Sequence, residues 1–147
     1  MSSFEPYSRA QLRDAYRTAW RKHLDRMPLS PLEALIVDVI ALHPEYHAVI
    51  AAAGVTESGQ DGGHDTPNPF LHLGLHLAVR EQLSIDRPPG IRELHRALHS
   101  RHGDLHSAEH ILVEALGETL WEAQRSGRAP DELQYLALAR RSLAAER

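Results

Sequence analysis

The strongest constraint on the fold of this chain is a helix-start signal that recurs along it. Ser30-Pro31-Leu32-Glu33 is a capping box with proline at the first helical position. There a serine hydroxyl takes an orphan backbone N–H, a glutamate reaches back, and the missing proline N–H costs nothing. Asn68-Pro69 repeats the cap-plus-proline start, and Ser8-Arg9-Ala10-Gln11 is a further box. Asp104 and Asp131 follow glycine or proline punctuation at Gly103, Gly127 and Pro130. Between these signals the apolar residues recur at helical spacing, with no strand alternation and no internal repeat. The chain therefore predicts an all-α, single-domain bundle of about six helices over 1–147. The helices are expected at about 8–26, 31–53, 69–84, 91–101, 104–125 and 131–144. Pro44 should kink the second of them. The polar, glycine-rich run 54–67 (GVTESGQDGGHDTP) reads as a flexible loop.

Composition narrows the chemistry. The chain has 147 residues, no cysteine and a formal charge of −4 with histidines neutral. Disulfides, thiolate zinc sites, iron–sulfur clusters and cysteine nucleophiles are excluded. Nothing in the charge favours a nucleic-acid partner. No apolar run reaches the roughly 18 residues of a membrane span, and no secretory signal opens the chain, so a cytoplasmic location is expected. The soft ligand available is histidine, present eleven times and scattered along the chain.

Six of those histidines form three HxxxH pairs: His43/His47, His72/His76 and His106/His110. On a helix that spacing presents two imidazoles on one face, one turn apart. The wheel places His43 and His47 in the stripe of Leu32, Leu35, Ile36, Val39, Ile40, Tyr46 and Ile50. His72 and His76 fall in the stripe of Leu71, Leu75, Val79 and Leu83. His106 and His110 lie on a flank of their helix, with Glu109 turned further inward. Six inward imidazoles need about a dozen hydrogen-bond partners, and each unmet buried group costs roughly 1–3 kcal/mol. A metal ion satisfies several ring nitrogens at once. The expected ligands are His43, His47, His72, His76, His106 and His110, with Glu109 as a ligand or a base. All-nitrogen and carboxylate donors suit iron or zinc, and also manganese, as one or two ions. An open coordination position would take a small-molecule substrate or dioxygen.

Two other readings compete with this one. A buried histidine network could be structural, in a non-enzymatic interaction module. Alternatively, His106-Ser107-Ala108-Glu109-His110 matches H-x-x-E-H, which would make a small zinc hydrolase with Glu109 as base. Peptidases of that signature take a third ligand from far downstream, whereas only 37 residues follow His110. Whether the chain is an enzyme, and whether it forms a homo-oligomer, is left open. His23 shares a stripe with Tyr16, Trp20 and Met27. His95, His99 and His102 sit at the edge of the fourth helix. Gln82 and Arg87 are assigned to the surface or to a pocket mouth.

The strings HPEYH (43–47), NPFLHLGLH (68–76), REQLSIDRPPGI (80–91), HSAEH (106–110), ETLWEAQRSG (118–127) and PDELQYL (130–136) resemble a bacterial family of domains of unknown function, number 1841. The resemblance covers nearly the whole chain outside 54–67. It implies a small bacterial cytosolic protein and brings no activity with it. In geometry alone, the arrangement resembles hemerythrin-type and other non-heme di-metal bundles. It departs from ferritin-like sites in lacking E-x-x-H pairs and in its high ratio of histidine to carboxylate.

Overall fold

A computed structural model describes residues 9–51 and 69–144. Among them all regular structure is helical, as the sequence pattern requires: α1 (Arg9–Leu24), α2 (Pro31–Ala41), α3 (His47–Ala51), α4 (Pro69–Ile85), α5 (Ile91–His102), α6 (Leu105–Ser126) and α7 (Glu132–Ala144). The loop expected at 54–67 and the first residue of the Ser8 capping box lie outside the described residues. The chain divides into two compact units, Met1–Leu77 and Ala78–Arg147.

In the first unit α1 packs on α2 and α3. Tyr16, Ala19 and Trp20 project from one face of α1 onto Ile36, Val39 and Ile40 of α2, Ile50 of α3 and Phe70 and Leu73 of α4. Burying an aliphatic or aromatic side chain of this size contributes about 1.5–3 kcal/mol. The capping box at Ser30 forms as expected. The Glu33 amide donates to Ser30 Oγ at 3.1 Å, and the Ser30 amide donates to Glu33 Oε1 at 2.9 Å. Leu32 departs from its expected place in the stripe and is 48% exposed, because it falls in the first turn, beyond the reach of the core.

The expected helix from 31 to about 53 does not run through. α2 ends at Ala41, a 3₁₀ turn spans Pro44–Tyr46, and α3 leaves at 101° to α2. Pro44 breaks the helix where a kink was expected. It has no N–H to give, and its ring forces the preceding His43 out of the helical region, to φ −128° and ψ 70°. The amides of Leu42 and His43 close the end of α2 with tightened bonds to Val39 and Ile40, at 3.2 and 2.9 Å. The turn sends Ile50 back into the core, fully buried.

In the second unit α5, α6 and α7 pack on one another. Ile91, Leu94 and Leu98 form the buried face of α5, with Leu112 and Leu116 of α6 and Tyr135, Leu136 and Ala139 of α7 also buried. Asp104 caps α6 by accepting from the Ser107 amide at 2.8 Å. Gly127 ends that helix at φ 73°, a left-handed conformation that favours glycine. At the end of α4, Arg92 donates from its guanidinium to the carbonyls of Leu83 and Ser84, at 2.8 and 2.6 Å. It thereby satisfies acceptors the helix leaves over.

The buried face of α4 is rotated from the expected one. Phe70, Leu73, His76, Val79 and Gln82 are buried, while Leu71 is 59% exposed. Leucines stand at 71, 73, 75 and 77, so the pattern alone does not set the phase of this helix.

Candidate metal centre

The break after α2 positions the first histidine. His43 sits at the corner ahead of Pro44, buried, with Tyr46 stacked in parallel on its ring at 5.3 Å and 6°. Its Nδ1 lies 2.8 Å from the Val39 carbonyl. A carbonyl only accepts, so Nδ1 carries the proton and Nε2 of the neutral ring is left as a lone pair. Burial, and then the charge of Glu45, raise the Tyr46 phenol above its ordinary range.

α4 supplies two more imidazoles at i,i+4 spacing. His76 is fully buried and His72 half-buried. The Nε2 atoms of His72 and His76 lie 3.2 Å apart, and His72 Nε2 lies 3.2 Å from His43 Nε2. Three Nε2 atoms thus converge from a corner and a helix that are distant in sequence.

Counting protons shows what is unusual here. His43 Nε2 can only accept. If His72 Nε2 carries a proton, it serves one of its two contacts well. If His76 Nε2 carries it instead, His72 faces His43 with two lone pairs. With all three rings neutral, one of the 3.2 Å contacts always lacks its proton. A metal ion has the opposite demand, for lone pairs that converge. For an ion about 2.05 Å from each nitrogen, contacts of 3.2 Å subtend roughly 100°. That angle lies between the octahedral and tetrahedral values.

The remaining expected ligand of the first unit is engaged elsewhere. His47 Nε2 bonds the Ile40 carbonyl at 3.0 Å, and its ring lies 4.6 Å from Trp20. The broken helix therefore separates the His43/His47 pair, turning one imidazole to the cluster and the other to the end of α2. His23 also rests on Trp20, at 5.0 Å. Glu33 is taken up by its cap and by Lys22 Nζ at 2.9 Å. The Ser30 amide, and then Lys22, hold its carboxyl below the usual glutamate range.

In the second unit His106 and His110 meet edge to face, with ring centroids 4.3 Å apart. Glu109 is buried, as the wheel expected, and Arg80 Nε straddles its two oxygens at 3.0 and 3.2 Å. Arg80 escaped the sequence reading, although it stands four residues after His76 on α4. Burial lowers the pKa of His95, and the charge of Glu109 partly offsets that shift. His102 bonds Ser142 Oγ at 2.8 Å, and His99 is exposed. Gln82, assigned to the surface or a pocket mouth, is fully buried and accepts from the Tyr135 hydroxyl at 2.6 Å. Burial raises the Tyr135 phenol above its ordinary range.

A family model described as "Domain of unknown function (DUF1841)" matches residues 8–141. The chain belongs to this family. No curated protein and no solved structure matches the chain. What the DUF1841 chain offers chemically is therefore read from its own side chains. A cluster of histidines that could hold a metal ion is the feature that stands out. Among the described residues, no single helix of this DUF1841 chain is long and apolar enough to cross a membrane.

Proposed function

We propose that this DUF1841 chain is a metal-binding protein whose ion is held by His43, His72 and His76. One observation carries the reading: three Nε2 atoms meet at 3.2 Å contacts that protons cannot all satisfy. Nitrogen donors suit zinc or iron(II) ahead of magnesium or calcium, with manganese as a weaker candidate. The match of one family model to 8–141 supports treating both units as one domain. The hydrolase alternative is disfavoured, because Glu109 is held by Arg80 and a general base needs a carboxylate that can turn to a water.

The test is metal analysis of untagged protein stripped with chelator and then offered zinc(II), iron(II) or manganese(II) in turn. One ion per chain is expected, with loss of occupancy in His43→Ala, His72→Ala and His76→Ala and retention in His99→Ala. No stoichiometric ion with any of the three metals, together with stability indifferent to chelator, would overturn the reading.

A further inference from the structure

The corner that carries His43 is closed by a second imidazole. α2 leaves carbonyls over at its end, and two of them are each covered by a backbone amide and a histidine ring. Val39 accepts from the Leu42 amide at 3.2 Å and from His43 Nδ1–H at 2.8 Å. Ile40 accepts from the His43 amide at 2.9 Å, and His47 Nε2 lies 3.0 Å from the same oxygen. A carbonyl only accepts, so His47 Nε2 carries the proton and donates. This bond spans seven residues and ties the first residue of α3 back to the last turn of α2. His43 stands inside the loop so closed. The ring that makes the tie is itself held, packed at 4.6 Å and 44° against Trp20, a buried residue of α1.

His43 needs such a tie. Pro44 leaves it outside helical geometry, at φ −128° and ψ 70°, so no regular ladder fixes its backbone. Its Nε2 must nonetheless stay 3.2 Å from His72 Nε2. Metal–nitrogen bonds tolerate displacements of only about 0.2 Å. We infer that His47 is a positioning residue of the metal centre, a step that rests on the metal-binding reading. By donating to Ile40 it holds the corner in the shape that presents His43 Nε2 to the ion, and it gives the ion no ligand of its own. The pair at 43 and 47 thus divides into a ligand and a brace. Coupling of this kind is reciprocal, so a bound ion also strengthens the brace.

The test is zinc(II) titration of the untagged full-length chain, at a temperature where circular dichroism shows each variant folded. His47→Leu keeps apolar bulk against Trp20 and loses the donor. His47→Gln keeps an N–H at the place of Nε2–H. Zinc affinity should fall at least about tenfold in His47→Leu and stay within about threefold of the parent in His47→Gln, with one zinc per chain in both. A histidine that only stabilises the fold would lower the Tm of His47→Leu and leave the affinity of the folded variant unchanged, which overturns the inference. Equal loss in His47→Gln and His47→Leu also overturns it, since a ligand fails in both. If His47→Leu does not fold, heteronuclear NMR of the parent's histidine rings decides, above the imidazole titration range. On zinc loading His47 should settle into one tautomer protonated at Nε2. A ring that averages between tautomers, or that shifts as a metal-bound nitrogen, overturns the inference and leaves the metal reading standing. A parent that takes up none of zinc(II), iron(II) or manganese(II) removes both readings.

Discussion

Replacing His76 with leucine should damage the metal centre and improve the fold. In the metal-free protein three Nε2 atoms share two contacts of 3.2 Å, and one contact lacks a proton. Two ring nitrogens that face each other with no proton between them forfeit that hydrogen bond, a difference of roughly 1–3 kcal/mol. In His76→Leu, His72 Nε2–H donates to the His43 lone pair and the conflict is gone. Leucine is apolar and of similar bulk, and imperfect fit in a fully buried position takes back up to about 1.5 kcal/mol. The metal-free variant should therefore lie between about 0.5 kcal/mol less stable and about 3 kcal/mol more stable than the parent. For a chain of this size the upper end is a rise in Tm of roughly 12 °C. The parent, in turn, gains about 2.7 kcal/mol at a free metal concentration one hundred times Kd, and the variant should gain nothing comparable. Urea denaturation with chelator and with zinc(II) measures both effects, so the order of stabilities should reverse between the two conditions. If metal-free His76→Leu is less stable than the parent by more than about 1.5 kcal/mol, the proton count is wrong. His76 would then be a structural hydrogen-bonding residue.

Other substitutions test the surroundings of the centre. Arg80→Met removes the guanidinium partner of a carboxylate that is only 10% exposed. It should cost about 2–3 kcal/mol after allowing for partial solvation, and Arg80→Met/Glu109→Leu should recover most of it in a denaturant cycle. Tyr→Phe should act oppositely at two buried sites. Tyr135→Phe deprives Gln82 of its 2.6 Å donor, and the Gln82 amide nitrogen already lacks a partner among the described residues, so a loss of about 1–3 kcal/mol is expected. Tyr16→Phe deletes a buried hydroxyl that has no hydrogen-bond partner among the described residues and should leave Tm unchanged or raise it. The Glu33 carboxyl has a depressed pKa in the folded state, so its contribution is complete above the ordinary glutamate range and is lost as pH falls through the folded value. The Tm gap between the parent and Glu33→Gln should therefore close from about pH 6 to about pH 3.

The helix starts were readable because a cap is a local event, completed within four residues, as at Ser30 and Asp104. The break at Pro44 was not, since a proline inside an apolar run either bends a helix or ends it. The choice here went with the burial of Ile50, which needs a sharp return. In α4 an abundance of leucine hid the phase, and the wheel set Leu71 where Phe70 and Leu73 belong. His43, His72 and His76 were legible as inward residues one at a time. Their convergence was not, because 29 residues separate His43 from His72 and no periodicity spans that distance. The same separation hid Arg80 from Glu109. The E in HSAEH looked available as a base, and only tertiary structure assigns it a cation.

The corner at His43 has a consequence for how the chain is tied. The proposed ion, bridging His43 to α4, would join two points 29 residues apart and close the backbone between them into a ring. In a sequence without cysteine, that would be a cross-link no reductant touches and any strong chelator opens. Its entropic effect on the unfolded chain resembles that of a disulfide around a loop of the same length. Metal supply would then set the topology of the polypeptide as well as the occupancy of a site.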